Sequence, residues 1–207
     1  MDTSKIFGDK SKFAIYYRTC PDENNDAAAN KMVICLLVID GNLIGKSDEE
    51  CYLPTWFGRL TRLRNRLVDT KHSLFPKELM GLSDREIFET LLKANQLEKD
   101  FHPDFLHLPQ IDSQFWSGHL LTLDETIDDY LVYFYVKDNR IIFLIEDESG
   151  SFESNCRSYK FIFHSIDFDF FISTVDFATV FFLQRYPYLK QYLISRTFNP
   201  NPDFLTT

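Results

Sequence analysis

Val38-Ile39-Asp40-Gly41-Asn42-Leu43-Ile44-Gly45 is the stretch on which the fold class turns. Upstream it closes an apolar run from Lys31 to Ile39, and downstream Leu43-Ile44-Gly45 starts a return strand. Asp40-Gly41-Asn42 reverses the chain between them, because Gly and Asn tolerate positive φ. An apolar run without polar alternation predicts a strand covered on both faces. Working outward, Phe13-Ala14-Ile15-Tyr16-Tyr17-Arg18 is rich in β-formers and predicts the preceding strand, with Ile6-Phe7-Gly8-Asp9 as a short strand before it. Thr19 to Asn30 between them is polar and reads as a loop.

Beyond this block the periodicity changes to helical. Trp56, Leu60, Leu63 and Leu67 make one apolar face over Leu53 to Thr70, with Arg59, Arg62, Arg64 and Arg66 mostly off that stripe. Pro54 suits the first turn. Ser83-Asp84-Arg85-Glu86 is a capping box, so a second helix starts there with Ile87, Phe88, Leu91, Leu92 and Leu97 on its buried side. Phe101 to Asp112, interrupted by Pro103 and Pro109, is an irregular segment too apolar to be a free linker. A β-meander follows: Tyr130 to Val136, the turn Lys137-Asp138-Asn139-Arg140, Ile141 to Glu146, a second turn through Glu148-Ser149-Gly150-Ser151, and Ser158 to His164. Asp167 to Tyr186 reads as a helix, with Phe168, Phe171, Ile172, Val175, Thr179 and Phe182 on one face. Pro187 ends it, and Tyr188 to Ile194 reads as a last short helix. Strands, helices, strands, helices in that order predict an α+β fold with antiparallel sheet, gathered in one sheet or split into two. The expected organisation is a single domain over 1–207, with any subdivision falling at 101–112.

Phe occurs 21 times in the 207 residues against 7 Gly, so large rings are available to fill a core without metals or disulfides. The formal charge of −9 repels DNA and RNA and excludes direct nucleic-acid binding as the favoured role. It suits a basic protein partner, because opposite potentials speed encounter. Cys20, Cys35, Cys51 and Cys156 form no CxxC pair and read as reduced, partly buried thiols. The N-terminus has no basic segment followed by an apolar one, and no stretch approaches the roughly 20 apolar residues of a membrane span. A soluble cytoplasmic protein with no membrane attachment is therefore expected.

Catalytic signatures are weak. His102-Pro103-Asp104 and His107 are metal-ligating residue types, but their spacing matches no familiar site. Ser117-Gly118-His119 lacks the strand-turn-helix setting of a nucleophile elbow. Gly8, Gly41 and Gly45 stand among strands and turns rather than before a helix, which argues against a phosphate loop. No cofactor and no catalytic residue is called for. Acidic runs are the richer signal: Asp48-Glu49-Glu50, then Asp124-Glu125 with Asp128-Asp129, then Glu146-Asp147-Glu148 with Glu153. Taken singly, such runs are usually solvated rims. Taken together, the two runs that bracket the meander define a candidate protein-binding surface of Asp124, Glu125, Asp128, Asp129, Tyr130, Glu146, Asp147, Glu148, Phe152 and Glu153, the aromatics acting as anchors. Ordinary strand packing is the competing reading of those aromatics, Tyr159 included.

The opening of the chain resembles one family of bacterial polymorphic-toxin immunity proteins, the one numbered forty-two. The resemblance rests on Ile6-Phe7-Gly8-Asp9, then Phe13-Ala14-Ile15, then Ile39-Asp40-Gly41 through Gly45, with the helix of Leu60, Leu63 and Leu67 and the following Leu74-Phe75 also similar. It covers roughly the first 90 residues closely and the rest by general pattern. It implies an intracellular antidote that binds the C-terminal effector domain of a cognate secreted toxin and blocks it, without enzyme activity. A basic effector would suit the charge of this chain. Two other readings compete: a small hydrolase or metal enzyme using His102, Asp104 and His107 or an acidic cluster, and an adaptor or assembly subunit without a toxin.

Overall fold

The computed structural model describes residues 4–20, 31–70, 79–96, 119–147 and 161–193. The readings of 101–112, of the turn after Asp147, of Cys156 and of the chain beyond Leu193 lie outside these residues. The fold is α+β, built from antiparallel sheet and packed helices, and it falls into two compact units. The first takes in Met1–Thr70, Thr122–Asp129 and Ile166–Thr207, the second Lys71–Leu121 and Tyr130–Ser165.

The first unit holds a five-stranded sheet. Its order is β1 (Ser4–Asp9), β2 (Phe13–Thr19), β3 (Met32–Ile39) and β4 (Asn42–Ile44), with β5 (Cys51–Tyr52) also pairing with β3. All these pairings are antiparallel. The β3–β4 turn closes at the pair Ile39↔Asn42, and Asp40 (φ 52°) and Gly41 (φ 76°) both take positive φ, the backbone of a two-residue hairpin turn that follows the twist of its strands. From Val33 to Ile39 every residue of β3 is buried, as a central strand covered on both faces should be. β5 was not anticipated: two residues are too short for any periodicity to register.

Two helices cover one face of this sheet, α1 (Leu53–Thr70) and α3 (Phe168–Arg185). Trp56, Leu60, Leu63 and Leu67 are all buried, so the predicted stripe of α1 is its core face. Between helices and sheet lies an aromatic core centred on Phe182, fully buried, whose ring stands 5.4 Å from Tyr17, 6.0 Å from Trp56 and 5.9 Å from Phe7. Phe13 meets Phe171 at 4.5 Å. Such offset and edge-to-face pairs add to the area term. Gly8 lies under α3 at φ +98°, and a Cβ there would come 2.5 Å from the Phe13 carbonyl oxygen and 2.8 Å from Thr174 Cγ2. The α3 N-terminus is capped by Asp167, whose carboxylate accepts the Phe170 N–H at 2.9 Å. After Tyr186 the chain forms a 3-10 helix over Pro187–Tyr192 rather than the expected α-helix from Tyr188 to Ile194. A proline at the start and only six residues leave too few i→i−4 bonds to sustain an α-helix.

The second unit packs α2 (Asp84–Gln96) on a three-stranded sheet ordered β6 (Tyr130–Lys137), β7 (Arg140–Asp147), β8 (Phe161–Asp167). The β6–β7 turn repeats the chemistry of the first hairpin, with Asp138 at φ 50° and Asn139 at φ 58°. Ser83 and Glu86 form the predicted capping box: Glu86 Oε2 accepts the Ser83 N–H at 2.7 Å, and Ser83 Oγ accepts the Glu86 N–H at 3.4 Å. Phe88 of α2 drives its ring edge-on into Tyr133 at 5.5 Å and Phe161 at 5.1 Å, joined in the core by Leu79, Ile87, Leu91 and Leu144. Tyr135 donates to Asp84 Oδ1 at 2.7 Å, and burial raises its hydroxyl well above the ordinary tyrosine range. The third strand of the meander runs three residues past the predicted His164, because buried Ile166 still alternates with its neighbours.

Candidate functional site

Glu125-Thr126-Ile127 forms a 3-10 turn in the first unit, capped by Asp124, whose extended backbone aims its carboxylate at the Thr126 N–H, 3.3 Å away. Thr126 and Ile127 are both buried, which fixes the turn to the body of the unit. A Cβ at Gly45 (φ +117°) would lie 2.8 Å from Leu36 Cδ2 and 3.3 Å from Ile127 Cγ2, so the absence of a side chain there lets the turn sit against the end of β4. The next residue completes the attachment: the Lys46 N–H donates to the Thr126 carbonyl at 3.0 Å.

The Lys46 ammonium stands 3.0 Å from Glu49 Oε1 and 3.4 Å from Asp129 Oδ2. One cation thus ties the run Asp48-Glu49-Glu50 to the run Asp124–Asp129 and holds two acidic segments as one rim. The hydrogen bond to Glu49, with the Asp129 charge behind it, raises the Lys46 pKa further and keeps the ammonium charged. Glu125, Asp128, Asp48, Glu49 and Glu50 are exposed, and Asp129 is half-buried. Asp124 differs: burial pushes its carboxyl above the usual carboxylate range, while the Thr126 N–H and the nearby Arg59 pull the other way. It shapes the rim from below. Both acidic runs were visible in the sequence, but Lys46, which joins them, carried no signal of its own.

The remaining residues of the predicted surface belong to the second unit or lie outside the described residues. Tyr130 and Asp147 face each other directly in the β6–β7 register, at the end of the hairpin away from its turn. Both are buried, Asp147 to 1% exposure, so they serve the sheet and offer a partner little surface. Glu146 keeps 13% of its side-chain surface and stands 3.5 Å from Arg85 Nη1; Arg85 also binds Glu89 at 2.9 Å and lies over the Phe161 ring. Glu148, Phe152 and Glu153 lie outside the described residues, as do Tyr159, His102, Asp104, His107 and Ser117.

The structural histidine is His119: buried to 1%, its Nδ1 sits 3.0 Å from the Phe134 carbonyl oxygen. Among the described residues no group of three or more His, Cys, Asp or Glu side chains is placed to hold a metal ion. Cys20, Cys35 and Cys51 are buried, and burial raises the Cys35 pKa, which suppresses the reactive thiolate. No helix among the described residues is long and apolar enough to cross a membrane.

The comparisons with known proteins give the class of this chain. The sequence matches the model of the family described as immunity protein 42 over residues 6–178. The chain belongs to that immunity protein family, whose members are the protective half of toxin–immunity pairs in interbacterial competition. Among solved structures it is similar in fold to the crystal structure of CdiI from Burkholderia dolosa AUO158, at 16% identity and a TM-score of 0.54, the match covering 85% of this chain and 99% of that one. No curated protein matches it in sequence. The family match extends well beyond the opening motifs, through the meander and into α3.

Proposed function

We propose that this chain binds the C-terminal effector domain of a cognate toxin and neutralises it by steric occlusion, acting in the cytoplasm as an inhibitor and not as an enzyme. Membership of the immunity protein 42 family carries the reading. The acidic rim of the first unit supplies the contact surface: Glu125, Asp128 and Asp129, with Asp48, Glu49 and Glu50 beside them through Lys46. Its backbone is pinned by Gly45, Ile127 and the Lys46–Thr126 hydrogen bond, so little entropy is lost when a partner docks. A basic effector, such as a nuclease that must itself bind a polyanion, fits a chain of charge −9. Glu146, Glu148, Phe152 and Glu153 are further candidate contact residues for the toxin, carried by the later acidic run. Each unit is built from more than one stretch of chain, which supports treating 1–207 as one working domain.

The test is capture from the native operon: tag this chain, purify it at moderate salt, and identify what remains bound. A stoichiometric toxin domain encoded in the adjoining reading frame, rendered harmless when the two are co-expressed, is the expected result. If the adjoining product neither binds this chain nor is neutralised by it, the reading fails, and metal content and hydrolysis become the next assays.

A further inference from the structure

The four arginines of α1 are not equivalent. Arg64 is committed to the interior, held by both oxygens of Asp176 at 2.8 and 2.9 Å, and Arg66 is half-buried, its charge disfavoured by desolvation. Arg59 and Arg62 are exposed, and among the described residues neither has a carboxylate within ion-pair distance. They share one side of an open groove of about 390 Å³ in the first unit, whose other side is formed by Gln191 and Tyr192 of the 3-10 segment. Gly58 also lines it. A glycine inside an α-helix costs about 1 kcal/mol relative to alanine, and this one lies in a helix of 18 residues. A Cβ on Gly58 would meet nothing within 4 Å, so the space over this lining position is open. Thr55 adds a hydroxyl on the same side, and the first turn of α1 contains no acidic residue. Asp124 interacts electrostatically with Arg59, and its own ionisation is disfavoured by burial.

We infer that this groove is a docking site for an acidic, extended peptide segment of a protein partner. Two forked guanidiniums one helical turn apart match carboxylates on alternate residues of an extended chain, each able to take a bidentate pair. Gln191 and Tyr192 line the groove from the 3-10 segment and bring an amide and a hydroxyl as hydrogen-bonding groups for a peptide backbone. The local positive charge opposes the net charge of −9 and favours an anionic ligand at this place. The groove is lined by none of the carboxylates proposed to meet the toxin.

The test uses the full-length chain and N-acetyl-hexaglutamate, followed by NMR of the arginine side-chain N–H groups and of the Gln191 amide. Saturable shifts confined to Arg59, Arg62, Gln191 and their neighbours are expected. The variant Arg59→Gln/Arg62→Gln should weaken binding about tenfold or more, the scale of a lost charge-assisted hydrogen bond. Gly58→Leu keeps both charges and adds bulk at a lining position with open space above it; it should weaken binding comparably while the backbone spectrum elsewhere is preserved. Hexaglutamine and inorganic phosphate at matched ionic strength should not saturate the site. The inference is overturned if hexaglutamate shifts nothing at millimolar concentration, if Gly58→Leu binds as well as the parent, or if phosphate alone saturates the same groups. No toxin enters the assay, so its failure leaves the immunity reading untouched.

Discussion

Arg64 of α1 and Asp176 of α3 meet as a two-pronged ion pair, Nε to Oδ1 at 2.8 Å and Nη2 to Oδ2 at 2.9 Å, with only 11% and 7% of their side chains exposed. They stand 112 residues apart in the chain and clamp the two helices that cover the first sheet. Arg64 also lies 3.3 Å from the Asn65 side-chain oxygen, which fixes the guanidinium plane.

Breaking this pair from one side leaves an uncompensated charge in a nearly dry site. Asp176→Ala is expected to lower stability by about 3–5 kcal/mol. Arg64→Met/Asp176→Leu together should lose much less than either single change, because no charge is left behind. Urea unfolding of Arg64→Met, Asp176→Leu and the double variant checks this; additive losses would show that the pair is not coupled.

Phe182 is fully buried, and its ring lies within 6.4 Å of those of Phe7, Tyr17, Trp56, Phe57 and Phe181. Phe182→Ala opens a cavity that five large rings cannot collapse into without leaving their own contacts. A loss of about 3–5 kcal/mol is expected, with Phe182→Leu retaining more than half of the stability difference. Chemical denaturation measures both.

Gly8 and Gly41 both take positive φ, but only Gly8 is crowded. Gly8→Ala combines the left-handed strain with a Cβ 2.5 Å from a carbonyl oxygen, whereas Gly41→Ala meets nothing within 4 Å. The first is expected to cost more than about 2 kcal/mol and the second about 1 kcal/mol, the strain alone. Equal losses in thermal or urea unfolding would contradict the close approach of α3 to β1.

Asp124 bears on pH. Its pKa is raised in the folded state, chiefly by burial, so folding favours the protonated form. Stability from this group is therefore present below the ordinary aspartate pKa of 3.8 and is lost as pH rises through the higher folded value. Asp124→Asn keeps an acceptor for the Thr126 N–H and removes the ionisation. The variant should be more stable than the parent at pH 7, with the difference shrinking as pH falls toward 4. Urea midpoints across that range decide it; a difference independent of pH would assign the effect to the cap alone.

For the proposed interface, Glu125→Lys/Asp128→Lys should slow association with the toxin domain at least about tenfold at low salt, with the difference collapsing at high salt, because exposed charges act mainly through steering. Tyr130→Phe should leave association unchanged, as its ring is buried in the second unit. Stopped-flow kinetics at two ionic strengths separate these outcomes.

Local order was written in the chain wherever periodicity or turn chemistry is strong. The helix Leu53–Thr70, the capping box at Ser83 and Glu86, and both hairpin turns followed from residue spacing and from Asp, Asn and Gly at positive φ. These depend on neighbours a few residues away, and one strand or turn is enough to express them. The family motifs around Gly8, Gly41 and Gly45 were legible for the same reason. What only the tertiary structure decided is which charged residues are available. Arg59 and Arg62 stay exposed while Arg64 is consumed by an aspartate 112 residues distant. Tyr130 and Asp147 are buried by strand pairing, and two acidic runs become one rim because Lys46 reaches both. A charge looks the same in sequence whether it ends in solvent, in an ion pair or beneath a sheet, since its fate is set by long-range packing that no local pattern encodes.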